Sequence, residues 1–231
     1  MLNTSLHRQI ILQVLKSIYS NPSLGSALGF KGGTAAYLLY GLPRFSIDLD
    51  FNLLDSEKEI FVFENMSKLL SEYGTLEEKA NKHYTLFYLL RYKSGLRNLK
   101  IEISKRSIVS QYETRAFLGI PMRVMSQPDM FANKLIALTE RKQLANRDIF
   151  DVHFFFKQNW VVNTKLIEKH TQISYSQYLE RCIQTIENVS SESMLANMGE
   201  LVDNQTKYWI KNHLKEETLF LLRTSQDPVA D

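Results

Sequence analysis

Asp48 and Asp50 lie two residues apart in the alternating tract Phe45-Ser46-Ile47-Asp48-Leu49-Asp50-Phe51-Asn52-Leu53. On a strand, that spacing sends both carboxylates to one face as near neighbours. Two anions that close repel, and the repulsion raises carboxylate pKa values unless a cation lies between them. Mg2+ (or Mn2+) suits such a pair, because it binds through one or two carboxylates together with substrate phosphates. Glu102, in the later alternating tract Leu99-Lys100-Ile101-Glu102-Ile103-Ser104, could supply a third carboxylate from a neighbouring strand. Acidic pairs are common on exposed strand faces, so this one gains meaning from what precedes it. Gly32-Gly33-Thr34 opens an apparent helix, whose free N–H groups and dipole form an anion site. Glycines let backbone approach a phosphate without an intervening Cβ, and the Thr34 hydroxyl could donate a hydrogen bond to it. A helix and a turn fit between Thr34 and Asp48. An anion cradle and a metal-binding pair joined in this way are what a nucleoside triphosphate requires.

A third group lies further along the chain. Lys134, near the start of a helix, could neutralise triphosphate charge as a compact point cation. Asp148, in Arg147-Asp148-Ile149-Phe150-Asp151, could position that lysine or act as a base toward an attacking hydroxyl. The same stretch also reads as helix capping with a surface ion pair. The five histidines show no metal-ligand spacing, and His83 and His153 read as partly buried structural residues. The lone Cys182 excludes an internal disulfide and a cysteine-based zinc site, and reads as a small hydrophobe. Phe154-Phe155-Phe156 with Trp160 reads as core rather than as a base-stacking platform.

These residues need a scaffold, and 231 residues can bury a full core. Helical spacing predicts an amphipathic helix over Leu6 to Tyr19, with Ile10, Ile11, Val14, Leu15 and Ile18 inward and Asn21-Pro22 ending it. Ala35 to Tyr40 continues the glycine pair as a helix that stops at Gly41. Strict alternation makes Phe45 to Leu53 a strand, with Ser46, Asp48, Asp50 and Asn52 on its open face. Glu57 to Tyr73 reads as a helix with Ile60, Phe61, Phe63, Met66, Leu69 and Leu70 inward. His83 to Tyr92 and Asn98 to Ser104 read as strands joined through Lys93-Ser94-Gly95. Beyond Pro121 the pattern turns helical. One helix starts at Ser126-Gln127-Pro128, with Ser126 as cap, and runs through Leu138; another covers Asn146 to Lys157; two or three more fill Thr164 to Leu222. The expected fold is therefore α+β, with a small mixed sheet and flanking helices in residues 1–120 and a helical region in residues 121–231 packed against it. The net charge of +3 does not point to a nucleic-acid partner. No basic-then-apolar start marks a signal peptide, and the longest apolar runs are too short for a bilayer. A cytoplasmic protein without a membrane partner is expected.

Phe30-Lys31-Gly32-Gly33-Thr34-Ala35-Ala36-Tyr37 and Leu42-Pro43-Arg44-Phe45-Ser46-Ile47-Asp48-Leu49-Asp50-Phe51 closely resemble the AbiEii-type toxins, nucleotidyltransferases of the DNA polymerase β-like superfamily. Lys134-Leu135-Ile136-Ala137-Leu138 and Arg147-Asp148-Ile149-Phe150-Asp151 resemble that family's third and fourth motifs. The resemblance implies a small mixed-sheet nucleotidyltransferase core and a helical C-terminal region. It further implies the toxin half of a type IV toxin–antitoxin pair, linked to abortive phage infection, with a cognate antitoxin as partner. Some members transfer nucleotides to the tRNA 3′ end, which blocks aminoacylation. Carried over, Gly33 and Ser46 contact phosphate, Asp48 and Asp50 bind metal, and Lys134 meets the triphosphate. The final catalytic aspartate is Asp148, with Asp151 fitting the same motif, and Glu102 matches the superfamily's third carboxylate by its place on a strand. Two other readings stand beside transfer to tRNA. One is a nucleotide-binding regulatory module without turnover, and the other is transfer to a small molecule or a protein hydroxyl.

Overall fold

The computed structural model describes residues 1–106, 110–141 and 143–225, in two compact units, Met1–Met125 and Ser126–Asp231. The first unit is built on a seven-stranded sheet. In chain order the strands are β1 Leu28–Lys31, β2 Asp48–Leu53, β3 Thr75–Lys82, β4 Thr85–Arg91, β5 Leu99–Ser104, β6 Tyr112–Phe117 and β7 Ile120–Met125. Across the sheet they run β3-β4-β5-β2-β1-β7-β6. β2 is parallel to β5 and antiparallel to β1, and β1 is parallel to β7, so the sheet is mixed as expected. The apolar halves of the alternating tracts bury: Leu49 and Phe51 from β2, Leu86, Tyr88 and Leu90 from β4, Leu99, Ile101 and Ile103 from β5.

Helix α1 (Thr4–Ser20) buries Ile11, Val14, Leu15 and Ile18 as its spacing requires, and adds His7. Asn21 ends α1 and also starts a new helix. Its side chain accepts from the Ser23 and Leu24 amides, and Pro22 takes the first turn of α2 (Pro22–Ala27). Helix α3 is Gly32–Tyr40, closed by Gly41 at φ 72°. Helix α4 is Glu59–Ser71, and here the expected inward face is corrected. Val62, Met66 and Leu70 are buried, whereas Ile60 is 74% and Phe61 39% exposed. Apolar residues lie on both sides of this helix, and the i, i+4, i+8 stripe through Val62 is the one that packs.

β2 starts at Asp48, so residues 45–47 lead into the ladder without joining it. Its open face is also narrower than alternation implies, because Ser46 and Asn52 are both buried. Asn52 donates its amide to the Tyr112 hydroxyl at 2.6 Å. The sheet continues past Pro121 through β7. The β6–β7 hairpin turns at Leu118 and Gly119, both at positive φ, the pattern of a type I′ turn.

The second unit is helical: α5 Gln127–Glu140, α6 Asn146–Lys157, α7 Thr164–Thr171, α8 Tyr175–Glu187, α9 Asn204–Trp209 and α10 Lys215–Thr224. Ser126 precedes α5 without a side-chain capping bond, while proline occupies the first turn. Phe154 and Phe155 are buried, and Phe155 stacks on Trp160 at 4.1 Å between ring centroids, so the aromatic run is core. Cys182 is buried too, and desolvation pushes its thiol up to about 12. Among the described residues, no helix is long and apolar enough to cross a membrane.

Candidate active site

β1 delivers the chain in extended form to Lys31, and α3 begins at Gly32 with φ +79°. That backbone region strains any residue with a Cβ. Space is short as well: a Cβ on Gly32 would stand 2.7 Å from Asp50 Oδ2, and one on Gly33 would stand 2.6 Å from Arg44 Nη2, so each would displace its neighbour. The glycine pair thus brings the positive end of α3 directly against a carboxylate and a guanidinium. Arg44 is itself buried, with Nη1 donating to the Phe45 carbonyl at 3.2 Å. The Thr34 hydroxyl points inward. It is buried and bonds to the Asp48 carbonyl and to Ser46 Oγ, the latter at 2.8 Å. Thr34 therefore ties α3 to the start of β2. Ser46 Oγ lies 3.1 Å from where a Gly33 Cβ would be, so the two phosphate-contact candidates are neighbours.

Register sets the rest. Asp50 pairs with Lys31 on one side and Glu102 on the other, and Asp48 pairs with Lys100. Lys100 Nζ lies 3.5 Å from Asp48 Oδ2 and 3.0 Å from Glu102 Oε2. Burial disfavours its charge, but the carboxylates of Asp48, Glu102 and Asp50 outweigh burial and hold the ammonium above its ordinary pKa. Burial raises the Asp50 pKa, and the charge of Asp48 raises it further, against the pull of Lys100 and Lys31. Asp48 and Asp50 fit a divalent ion that completes its coordination with phosphate and water. Glu102 stands in register but is engaged by Lys100. Among the described residues, no three His, Cys, Asp or Glu side chains are arranged to hold a metal.

His7 sets the position of the strand entrance. Ile47 offers only a carbonyl, so His7 Nε2 carries the proton and donates to it at 2.9 Å. Nδ1 then accepts from the Tyr92 hydroxyl at 2.8 Å. Burial lowers the His7 pKa and keeps the ring neutral, although the Ile47 bond and Asp48 oppose the shift. No spacing rule marks His7 in the sequence. Lys100 was more legible, since alternation puts it on the same face as Glu102.

The second unit gathers the remaining candidates. Lys134 Nζ on α5 lies 2.6 Å from Asp148 Oδ1 and 2.8 Å from Asp151 Oδ2, both on α6. Arg141 Nε stands 2.7 Å from Asp148 Oδ2. Both carboxylates are fully buried.

The fold is shared with two bacterial proteins of known structure. JHP933 from Helicobacter pylori is 20% identical, with a TM-score of 0.58 over 97% of this chain and 96% of that one. An H. pylori protein provisionally described as a nucleotidyltransferase is 21% identical, with a TM-score of 0.60 over 97% of this chain and 98% of that one. No curated protein matches the chain at a significant level. Residues 13–209 match the family described as "Nucleotidyl transferase AbiEii toxin, Type IV TA system". The chain belongs to that family. It is a nucleotidyltransferase toxin, and the family implies a nucleotide substrate and a cognate antitoxin.

Proposed function

We propose that this enzyme transfers a nucleoside monophosphate from a nucleoside triphosphate to an acceptor hydroxyl, with Asp48 and Asp50 holding Mg2+ (or Mn2+). The close approach of Gly32 to Asp50, which leaves little room for a Cβ, carries this reading. It sets an anion-binding helix end beside a partly exposed carboxylate pair, and a metal–phosphate unit needs both. Gly32, Gly33 and Ser46 receive phosphate oxygens, and the sheet holds Asp48 and Asp50 at fixed spacing. The acceptor oxygen bonds to the α-phosphorus, the bond to the β-phosphate oxygen breaks, and pyrophosphate leaves; the acceptor proton passes to solvent or a nearby base. When bound, the ion supplies Lewis-acid polarisation and a template for the phosphates; positioning supplies much of the remaining rate. Lys134 takes the triphosphate-neutralising role that the family pattern gives it. Asp148 and Asp151 hold its ammonium, and the burial of both, with Arg141 also on Asp148, favours positioning over a base role for either.

The family resemblance makes the tRNA 3′ end the first acceptor to test; such a reaction would run in the cytoplasm. Binding without turnover draws on one observation, the Lys100 ammonium already lodged between Asp48 and Glu102. The test incubates the protein with Mg2+, total tRNA and each labelled nucleoside triphosphate in turn, beside Asp48→Ala. Label on RNA that needs Asp48 is the expected result. Nucleotide binding without label on RNA would move the reading to a small-molecule or protein acceptor, or to a binding module.

A further inference from the structure

The carboxylate row continues beyond the acidic residues. β4 pairs with β5 so that Phe87 lies opposite Glu102, which itself lies opposite Asp50. Ala80 of β3 pairs with Phe87 on the far side. Directly paired residues project to the same face of a sheet. Phe87 therefore shares a face with Asp50 and Glu102, two strand spacings or about 10 Å from Asp50. Leu89 flanks it, in register with Lys100. The opposite face of β4 is fully used by buried Leu86, Tyr88 and Leu90, whereas Phe87 and Leu89 are only half-buried. What covers the Phe87 ring is an ammonium: Lys82 Nζ sits 4.2 Å from its centroid. Lys82 is also within 3.5 Å of Glu78 Oε1, in a pair about half exposed on both sides. A ring face met by a half-exposed surface cation can also be met by another flat π-system.

The geometry assigns Phe87, once Lys82 swings off its face, as a stacking platform for an unpaired nucleobase beside the Asp48–Asp50 site. The inference rests on the nucleotidyl-transfer reading, because that reading puts a phosphate at Asp50, one sugar's reach from a base on Phe87. Stacking on an aromatic face tolerates any base, and a lysine alongside tracks the attached phosphate. The base could belong to the incoming nucleotide or to the end of a nucleic-acid acceptor, and the experiment separates these sources.

The full chain carrying Phe87→Trp is titrated with Mg2+ and each nucleoside triphosphate, with a short single-stranded RNA, and with tripolyphosphate, which has no base. Trp160 and Trp209 are present throughout, so the signal read is the difference from the unsubstituted protein. Quenching by nucleoside triphosphate, or by RNA, identifies the stacked partner, while tripolyphosphate binds without quenching. In Phe87→Leu, which keeps the apolar volume but loses the ring, the same base-bearing ligand binds at least about fivefold more weakly, and tripolyphosphate is unaffected. No quenching by any base-bearing ligand, with unchanged affinities in Phe87→Leu, would overturn the platform. Failure of tripolyphosphate to bind the unsubstituted protein would count against the phosphate site instead.

Discussion

Each unit carries a pair of aspartates one short step apart, and the two pairs are built in opposite ways. Asp48 and Asp50 share a strand face and remain partly exposed, with Lys100 3.5 Å from Asp48 and Lys31 in register with Asp50. Asp148 and Asp151 share a helix face, are fully buried, and meet Lys134 and Arg141 at 2.6 to 2.8 Å. Two buried carboxylates held this closely by cations pack as part of the helical unit, with Lys134 held in place between them. Two partly exposed carboxylates beside a helix end that attracts anions make a place that a ligand can reach. Acidic spacing alone does not separate these cases; burial does.

The contrast can be broken from the structural side first. Lys134→Met removes the ammonium that lies against both buried carboxylates, and breaking a buried ion group in this way costs about 3–5 kcal/mol. Thermal unfolding should show a drop of many degrees, and loss of activity in this variant would then report folding as much as chemistry. If Lys134→Met melts like the unsubstituted protein, the second cluster is not a structural one. Gly32→Ala should be milder. Its Cβ would need a positive φ and would press on Asp50 Oδ2 at 2.7 Å, a conformational strain of about 1–2 kcal/mol. Denaturant titration reads that loss, and nucleotide affinity should fall with it, because the cradle is displaced.

The smallest effect is one of pH. His7 has its folded pKa lowered by burial below the ordinary 6.5, so the unfolded chain takes up a proton that the folded ring resists. The stability held by the neutral ring is complete above about pH 6.5 and is lost as pH falls from there toward the folded value, by at most about 1.4 kcal/mol per pH unit. Burial lowers His153 in the same direction, so the unsubstituted protein is compared with His7→Gln, in which His153 is unchanged. Melting temperature between pH 7.5 and 5.5 should fall less in His7→Gln; parallel curves would show that His7 carries no such linkage.

Much of the arrangement was legible in the residues. Alternation in β2 and β5 sets Asp48, Asp50 and Glu102 on one face, helical spacing finds α1 with its buried side, and α5 and α6 lie where the sequence places them. The remainder depends on pairing between distant segments. β3 is a polar edge strand with little apolar alternation, so no periodicity announces it. The β6–β7 turn is Leu-Gly rather than Asn-Gly, which hides a hairpin behind an ordinary dipeptide. The inward turn of Thr34, the lodging of Lys100 and the alignment of Phe87 with Glu102 all follow from register, which no single tract contains.

The most direct measurement is divalent metal binding read through Mn2+ with a nucleoside triphosphate present, by electron paramagnetic resonance, in Asp48→Asn, Asp50→Asn and Asp151→Asn. The expected result is loss of the bound-ion signal in the first two, with melting temperatures close to that of the unsubstituted protein. Asp151→Asn should keep its Mn2+ signal and lose melting temperature. Unchanged Mn2+ binding in Asp48→Asn and Asp50→Asn would contradict the assignment of the open pair as the metal site.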